Sequence, residues 1–179
     1  GDIVLVHGAT GAVGIATVQL ALAAGMEVVA SSGTAAGADL LRQQGVTNII
    51  MHNDADHLAP YQSLETGFDI VIEMLANHNL DQDFKALAFG GCVAVVGNRG
   101  TIEINPRDLM ARDASVIGVA LANTKPHELA LIAKSLRPLF EKGVLKPVIR
   151  HRYPLIELAQ AHEDVLKSGA LGNLVILIG

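Results

Sequence analysis

Short apolar runs alternate with stretches of helical spacing from residue 3 to residue 121. Ile3-Val4-Leu5-Val6 predicts a first strand and the apolar stretch 13–24 a first helix. Residues 27–31 predict a second strand, and 35–44 a second helix closed by Gly45 at its C-terminus. Asn48-Ile49-Ile50-Met51 is a third strand, and 54–66 is weakly helical and interrupted by Pro60. Residues 69–74 predict strand four, 80–89 a helix ending at the Gly90-Gly91 pair, 92–96 strand five and 115–121 strand six. The strands are short, β-branched and apolar on both faces, as in a parallel sheet covered by helices on both sides. Repeated βα units of this length predict an α/β fold, a doubly wound parallel sheet of the Rossmann type. Right-handed crossovers then place a ligand at the carboxyl ends of the strands, near the switch point.

The pattern changes after residue 124. Residues 126–142 form a long amphipathic helix with Leu129, Ile132, Ala133, Leu136 and Phe140 on one face. Pro147-Val148-Ile149 and Tyr153-Pro154 break the pattern; 155–167 reads as another helix and Leu174-Val175-Ile176-Leu177-Ile178 as a final strand. The expected division is a dinucleotide-binding domain over 1–124 and a tail over 125–179 that belongs to a second, incomplete domain. The chain opens on Gly1 rather than Met, directly ahead of a strand, and reads as part of a longer one in which any targeting signal is out of view.

Composition narrows the classes. Hydrophobic residues make up 50% and charged residues 17%, a globular balance. The net charge of -5 and the lack of a basic run argue against a nucleic-acid surface; 3% aromatics and no Trp argue against a stacking platform. Residues 3–26 carry no Asp, Glu, Lys or Arg, but His7 and the Gly8-to-Gly14 turn divide them into pieces too short to cross a bilayer. The single cysteine, Cys92, allows no internal disulfide and no cysteine-based zinc site, and suits a reducing, cytoplasmic setting. Placed inside strand five, it reads as a small core residue.

The chemistry concentrates at strand ends. Ala9-Thr10-Gly11-Ala12-Val13-Gly14 is a dinucleotide fingerprint with Ala at the first glycine position. It follows a strand and opens a helix, so helix N–H groups and a partial positive charge face a pyrophosphate. Gly11 permits backbone approach to the phosphates, and Gly14 permits helix–strand packing. No Lys-Ser or Lys-Thr follows, which excludes a P-loop. Strand two ends in Ser31-Ser32-Gly33-Thr34 rather than in the acid that meets a free ribose 2′-hydroxyl. The missing carboxylate and the two hydroxyls favour NADP(H), with Arg42 the only nearby cation; an ordinary Ser/Gly loop would admit either cofactor. His52 follows strand three and reads first as an exposed loop histidine. His57, His78, Asp54 and Asp56 match no metal-ligand spacing. Ala76-Asn77-His78-Asn79, Gly97-Asn98-Arg99-Gly100 and Ala120-Leu121-Ala122-Asn123 end strands four to six and would surround a nicotinamide; Arg99 could equally pair with Glu103. No Tyr-x-x-x-Lys pair and no Gly-x-Ser-x-Gly elbow occur.

Three stretches carry a family resemblance: residues 1–14, Phe68-Asp69-Ile70-Val71-Ile72-Glu73-Met74-Leu75-Ala76-Asn77, and residues 95–108 from Val95 to Asp108, with Leu145-Lys146-Pro147-Val148-Ile149 in support. They resemble the quinone oxidoreductases of the medium-chain dehydrogenase/reductase superfamily, in particular the zeta-crystallin group. The resemblance implies NADPH-dependent, zinc-free hydride transfer to a quinone and an upstream GroES-like catalytic domain to which the tail returns. It implies cofactor contacts at Thr10, Gly11, Ala12, Val13, Gly33, His52, Asn79, Val96, Gly97, Asn98, Arg99, Val119, Ala120 and Leu121. It also implies a homo-oligomer paired through residues 115–121. No residue stands out as a catalytic acid, base or nucleophile. The alternatives are a zinc-free enoyl or alkenal reductase acting on an unsaturated carbonyl, and a non-catalytic cofactor-binding or RNA-associated protein.

Overall fold

The computed structural model describes residues 1–63, 65 and 67–179. Six parallel strands form the main sheet in the order β3-β2-β1-β4-β5-β6: β1 (Ile3–Val6), β2 (Glu27–Ser32), β3 (Asn48–Met51), β4 (Phe68–Glu73), β5 (Leu87–Val95) and β6 (Ser115–Gly118). The order runs outward from β1 to β3 and then returns to the other side of β1, so the switch point lies between β1 and β4. Helices α1 (Ala12–Ala23), α2 (Ala35–Gln43) and α3 (Ala76–Ala86) supply the crossovers, and the short α4 (Pro106–Met110) precedes β6.

Two cores follow from the strand period of two. Val4, Val6, Val28 and Ala30 face one side and pack with Ala9, Val18, Ala21, Leu41 and Val46. Leu5, Val29, Val71 and Val93 face the other and pack with Leu58, Phe68, Phe84, Ala86 and Leu87. Successive residues of β1 are thus buried on opposite faces, which is why the strands are apolar throughout rather than alternating.

The remaining elements are α5 (Pro126–Glu141), β7 (Ile149–Pro154), α6 (Leu158–Asp164) and β8 (Asn173–Leu177). β7 and β8 pair in parallel as a separate two-stranded sheet. The tail therefore does contain one further βαβ unit, but outside the main sheet. It is clipped internally by the buried Tyr153, whose hydroxyl donates to Asp164 Oδ2 at 2.5 Å. It is tied to the main body by Gln19: Nε2 donates to Lys146 O at 2.9 Å and Oε1 accepts from Lys146 N at 2.9 Å. Gly172 N donates to Thr10 O at 2.8 Å, placing the tail directly on the glycine turn.

Several boundaries differ from the sequence reading. The helix expected over 80–89 spans Ala76–Ala86, and β5 begins at Leu87, so Gly90-Gly91 lies inside a strand. Gly90 has φ +77°, and a Cβ at Gly91 would stand 2.7 Å from Phe68 O; the pair lets β5 bend tightly past the start of β4. The expected helix over 54–66 is reduced to a 3₁₀ turn at Ala59–Tyr61, with Leu64 and Thr66 outside the described residues. β6 stops at Gly118, and Leu121–Asn123 form a 3₁₀ turn. The helix over 155–167 is a 3₁₀ turn at Leu155–Glu157 followed by α6. Residues 3–26 divide into β1, the turn and α1; no helix among the described residues is long and apolar enough to cross a membrane.

Candidate functional site

The glycine turn sits at the switch point and uses its glycines for different purposes. Gly8 holds φ +55°, the left-handed corner at which the chain leaves β1. Ala9, fully buried, takes the first fingerprint position, so Gly8 rather than residue 9 supplies the turn; sequence reasoning placed Gly8 in the motif without giving it this role. Gly14 touches the turn so closely that a Cβ there would collide with Gly8 O. A Cβ at Gly11 would meet Gly8 O at 3.4 Å, an ordinary contact, so the chain itself does not require glycine at that position. Gly11 N-caps α1 without a side-chain hydrogen bond, leaving the first N–H groups of α1 directed out of the turn.

Beside the turn lies a cleft of about 330 Å³ lined by His7, Gly8, Ser31, His52, Met74, Leu75, His78 and Asn79. It joins the ends of β1, β2, β3 and β4. His52 N donates to Ser32 O at 3.0 Å, and a Cβ on Gly33 would stand 2.7 Å from the His52 ring. His52 and Gly33 are therefore one contact pair at the β2–β3 corner. Burial lowers the His52 pKa, assisted by His57 and His7. His78, read from sequence as part of the strand-four end, lines the same cleft.

The end of β2 needs a correction. Ser31 and Ser32 are both buried, and their hydroxyls are engaged within the chain. Ser31 Oγ accepts from Gly8 N at 3.2 Å; Ser32 Oγ donates to Thr34 O at 2.9 Å and accepts from Thr34 N at 3.3 Å. Thr34 Oγ1 caps α2 by accepting from Gly37 N at 3.0 Å. Arg42 lies in the last turn of α2 and pairs with Asp39 at 2.7 Å, at the helix end away from the cleft. The hydroxyls stabilise the corner, and Arg42 is not part of it.

The β5 end is held against β4. Val96 N and Gly97 N both donate to Glu73 O, and a Cβ on Gly97 would collide with Met74 O. Arg99 N donates to Asn77 Oδ1 at 3.0 Å, and among the described residues its side chain forms no ion pair with Glu103. Val119 and Leu121 lie beyond β6, 48% and 71% exposed. Thr10, Ala12 and Val13 flank Gly11 on the turn. The fourteen implied contacts thus form a band along the strand ends rather than one compact pocket.

Beneath the cleft is a polar cluster that the motifs did not reveal. His7, Glu73 and Asp83 are all buried in apolar surroundings. His7 Nε2 lies 2.8 Å from Asp83 Oδ1 and 3.5 Å from Glu73 Oε2. Glu73 Oε1 accepts from Leu75 N, and Asn79 Nδ2 donates to both Glu73 oxygens at 3.2 and 3.1 Å. Burial pushes Glu73 up to about 7, with His7 opposing and Asp83 reinforcing the shift. Burial likewise pushes Asp83 up to about 7. His7 is held below its ordinary value by burial, against the pull of Glu73. The signal was available in sequence: Glu73 is an acid at the end of the apolar Ile70-Val71-Ile72 run, and His7 follows Val4-Leu5-Val6.

The chain matches a family model described as zinc-binding dehydrogenase over residues 12–136. The chain belongs to the zinc-binding dehydrogenase family. Within it, the chain is 45% identical over 181 residues to quinone oxidoreductase of Rattus norvegicus and 44% identical to that of Homo sapiens. In each case 99% of this chain aligns with 55% of the relative, so the chain spans about half the length of the curated relatives it matches. It is also similar to the crystal structures of the quinone oxidoreductase from Thermus thermophilus and its complex with NADPH: TM-score 0.84, 28% identity, 99% of this chain and 58% of that one. The family resemblance drawn from the three sequence stretches and the doubly wound fold are therefore both in place.

The family description raises the question of zinc. Among the described residues the one group with metal-ligand atoms close together is His7, Glu73 and Asp83, within 4.8 Å of one another. It does not fit zinc. His7 Nε2 is taken up at hydrogen-bond distance by Asp83 Oδ1, and burial favours a proton on the carboxyl pair, whereas zinc needs deprotonated ligands. Cys92 lies within β5.

Proposed function

We propose that this chain is the cofactor-binding part of an NADPH-dependent oxidoreductase that reduces quinones without a metal. The open N-terminus of α1 at the β1–β4 switch point carries this reading. Phosphate oxygens bound there meet N–H groups of the first turn and the positive end of α1, with Gly11 keeping the approach clear. The Gly33–His52 corner receives the adenosine half, and the ends of β5 and β6, with Val96 to Arg99 and Val119 to Leu121, border the nicotinamide half. NADPH supplies a hydride, and the quinone takes it with a proton from water to leave as hydroquinone beside NADP⁺. The chain's own contribution is orientation and exclusion of water.

The preference for NADP(H) over NAD(H) rests on the acid-free end of β2. With Ser31 and Ser32 engaged elsewhere, a 2′-phosphate meets the Gly33–Thr34 backbone and the start of α2. The tail over 125–179, with its separate β7–β8 sheet, belongs with a domain encoded upstream that forms the other wall of the substrate cleft. β6, an edge strand with Val116 and Ile117 exposed, pairs with its copy in a homodimer.

Calorimetric titration of the chain with NADPH and NADH tests the cofactor reading. NADPH is expected to bind at least tenfold more tightly; equal or reversed affinities would remove the 2′-phosphate preference. Gly11→Asp, which brings bulk and negative charge to the phosphate approach, is expected to weaken NADPH binding by a hundredfold or more in a folded protein. Unchanged binding would place the dinucleotide elsewhere. NADPH-dependent turnover of p-benzoquinone against an α,β-unsaturated ketone, in a chain extended upstream, separates quinone reduction from enoyl or alkenal reduction.

A further inference from the structure

The buried His7–Glu73–Asp83 cluster meets the cleft at His7 and, through Glu73, at Asn79. Asn79 is half-exposed and lines the cleft, yet its Nδ2 points inward to both oxygens of Glu73. An asparagine amide has one donor end and one acceptor end. With Nδ2 committed to Glu73, Oδ1 is the end left for the cleft, and no donor among the described residues reaches it. We propose that Glu73 is a positioning residue: it fixes the Asn79 amide so that the cleft presents an acceptor, and thereby selects a hydrogen-bond donor, a ligand hydroxyl, at that point.

The geometry behind Glu73 explains why this orientation holds. Glu73 accepts from Leu75 N with Oε1 and from Asn79 Nδ2 with both oxygens, so a turned-over amide would set its acceptor Oδ1 against acceptor oxygens and lose both bonds. Asp83 Oδ2 is buried without a partner among the described residues, and burial raises both carboxyls, which favours one proton on the pair over two charges. His7 Nε2 lies 2.8 Å from the remaining Asp83 oxygen, Oδ1. Burial favours retention of that proton, so the carboxyl pair carries a single negative charge, and that charge is the one Asn79 answers. The titratable groups facing it are His7, directly after β1, and Asp83 from α3; His52 lines the same cleft, where His7 helps to lower it.

The inference rests on the dinucleotide reading for the identity of the ligand, but not for the orientation of Asn79. Glu73→Leu removes both acceptor oxygens and frees the Asn79 amide to turn. Glu73→Gln keeps an acceptor: its oxygen in the place of Oε1 still accepts from Leu75 N and Asn79 Nδ2. In the free protein, NMR is expected to show slow exchange of the Asn79 side-chain amide protons, retained in Glu73→Gln and lost in Glu73→Leu. NADPH affinity is expected to fall about tenfold in Glu73→Leu and to recover by at least half of that loss in Glu73→Gln. Should Glu73→Leu not fold, Asn79→Ala at the half-exposed site is expected to show the same tenfold loss.

Wild-type affinity in Glu73→Leu or Asn79→Ala, or a Glu73→Gln variant no better than Glu73→Leu, overturns the positioning role. Fast exchange of the Asn79 amide in the wild-type protein overturns the orientation itself. If the wild-type chain binds neither NADPH nor NADH, the dinucleotide reading fails and the ligand hydroxyl with it. The amide exchange still decides whether Glu73 orients Asn79.

Discussion

The β1–β4 wall of the cleft and the flank from β6 to α5 are built on opposite terms. In the wall, backbones approach so closely that only hydrogen fits at Gly14 and Gly97, and even the polar side chains His7, Glu73 and Asp83 are buried among partners. On the flank, Val116, Ile117, Leu129, Leu131, Ile132 and Phe140 are all exposed by more than a third. A Cβ on Gly118 of β6 would meet nothing within 4 Å. The wall is determined by its own contacts. The flank carries apolar surface that its own chain does not cover, the kind of surface that marks an interaction face. Within one domain, the same residue types serve shape in one place and contact with something else in another.

The sharpest way to test that difference is to add one methyl group on each side. Gly97→Ala forces a Cβ onto Met74 O, a backbone atom that cannot step aside. It is expected to destabilise the fold by about 3 kcal/mol, read from the urea midpoint. Gly118→Ala on the flank is expected to change stability by less than about 0.5 kcal/mol. A mild Gly97→Ala would mean that the β4–β5 junction yields, and the contrast would fail.

How much of this was legible in the sequence follows the same division. β1 to β4 were placed nearly to the residue because each is a β-branched run closed by a turn. β5 was cut short because Gly90-Gly91 resembles a helix stop; their role, relieving a collision with the start of β4, depends on a partner strand distant in sequence. The glycine turn was legible as a tight passage from strand to helix, since its spacing is local. The engagement of Ser31 and Ser32 was not, because their partners, Gly8 N and the Thr34 backbone, are chosen by the folded turn. The His7–Glu73–Asp83 cluster joins residues 76 positions apart across two strands and a helix, and no spacing rule reaches that far.

The buried cluster also makes the wall sensitive to pH in a way the flank is not. Glu73 and Asp83 are raised to about 7 by burial, whereas in the unfolded chain they ionise near pH ~4. The folded state therefore binds the extra proton. Its stabilising contribution is complete below the unfolded value and is lost as pH rises through about 7. His7, lowered from 6.5, works oppositely: its contribution is present above 6.5 and lost as pH falls below it. Between pH ~6.5 and ~8.5 the carboxyl effect runs on while the His7 effect fades, and His7 is common to wild type and an Asp83 variant. Asp83→Asn imitates the protonated acid, since its amide can donate to Glu73 and its oxygen accept from His7. The wild type is expected to lose on the order of 1 kcal/mol more than Asp83→Asn across that interval, measured by urea unfolding. Parallel losses would show that the pair holds no proton at neutrality.

Ile117→Asp addresses the flank itself. Ile117 is 51% exposed on the edge strand, so a charge there displaces little buried contact, and the urea midpoint is expected to move by less than about 0.5 kcal/mol. If β6 pairs with its copy, the same substitution sets like charges near the two-fold axis of the paired edges and opposes association. Sedimentation velocity is then expected to show a dimer for the wild type and a monomer for Ile117→Asp. A wild-type monomer would remove the proposed pairing and leave the exposed face to a different partner. A loss of several kcal/mol in the variant would mean that Ile117 is part of the domain's own core after all, and the division between wall and flank would have to be redrawn at β6.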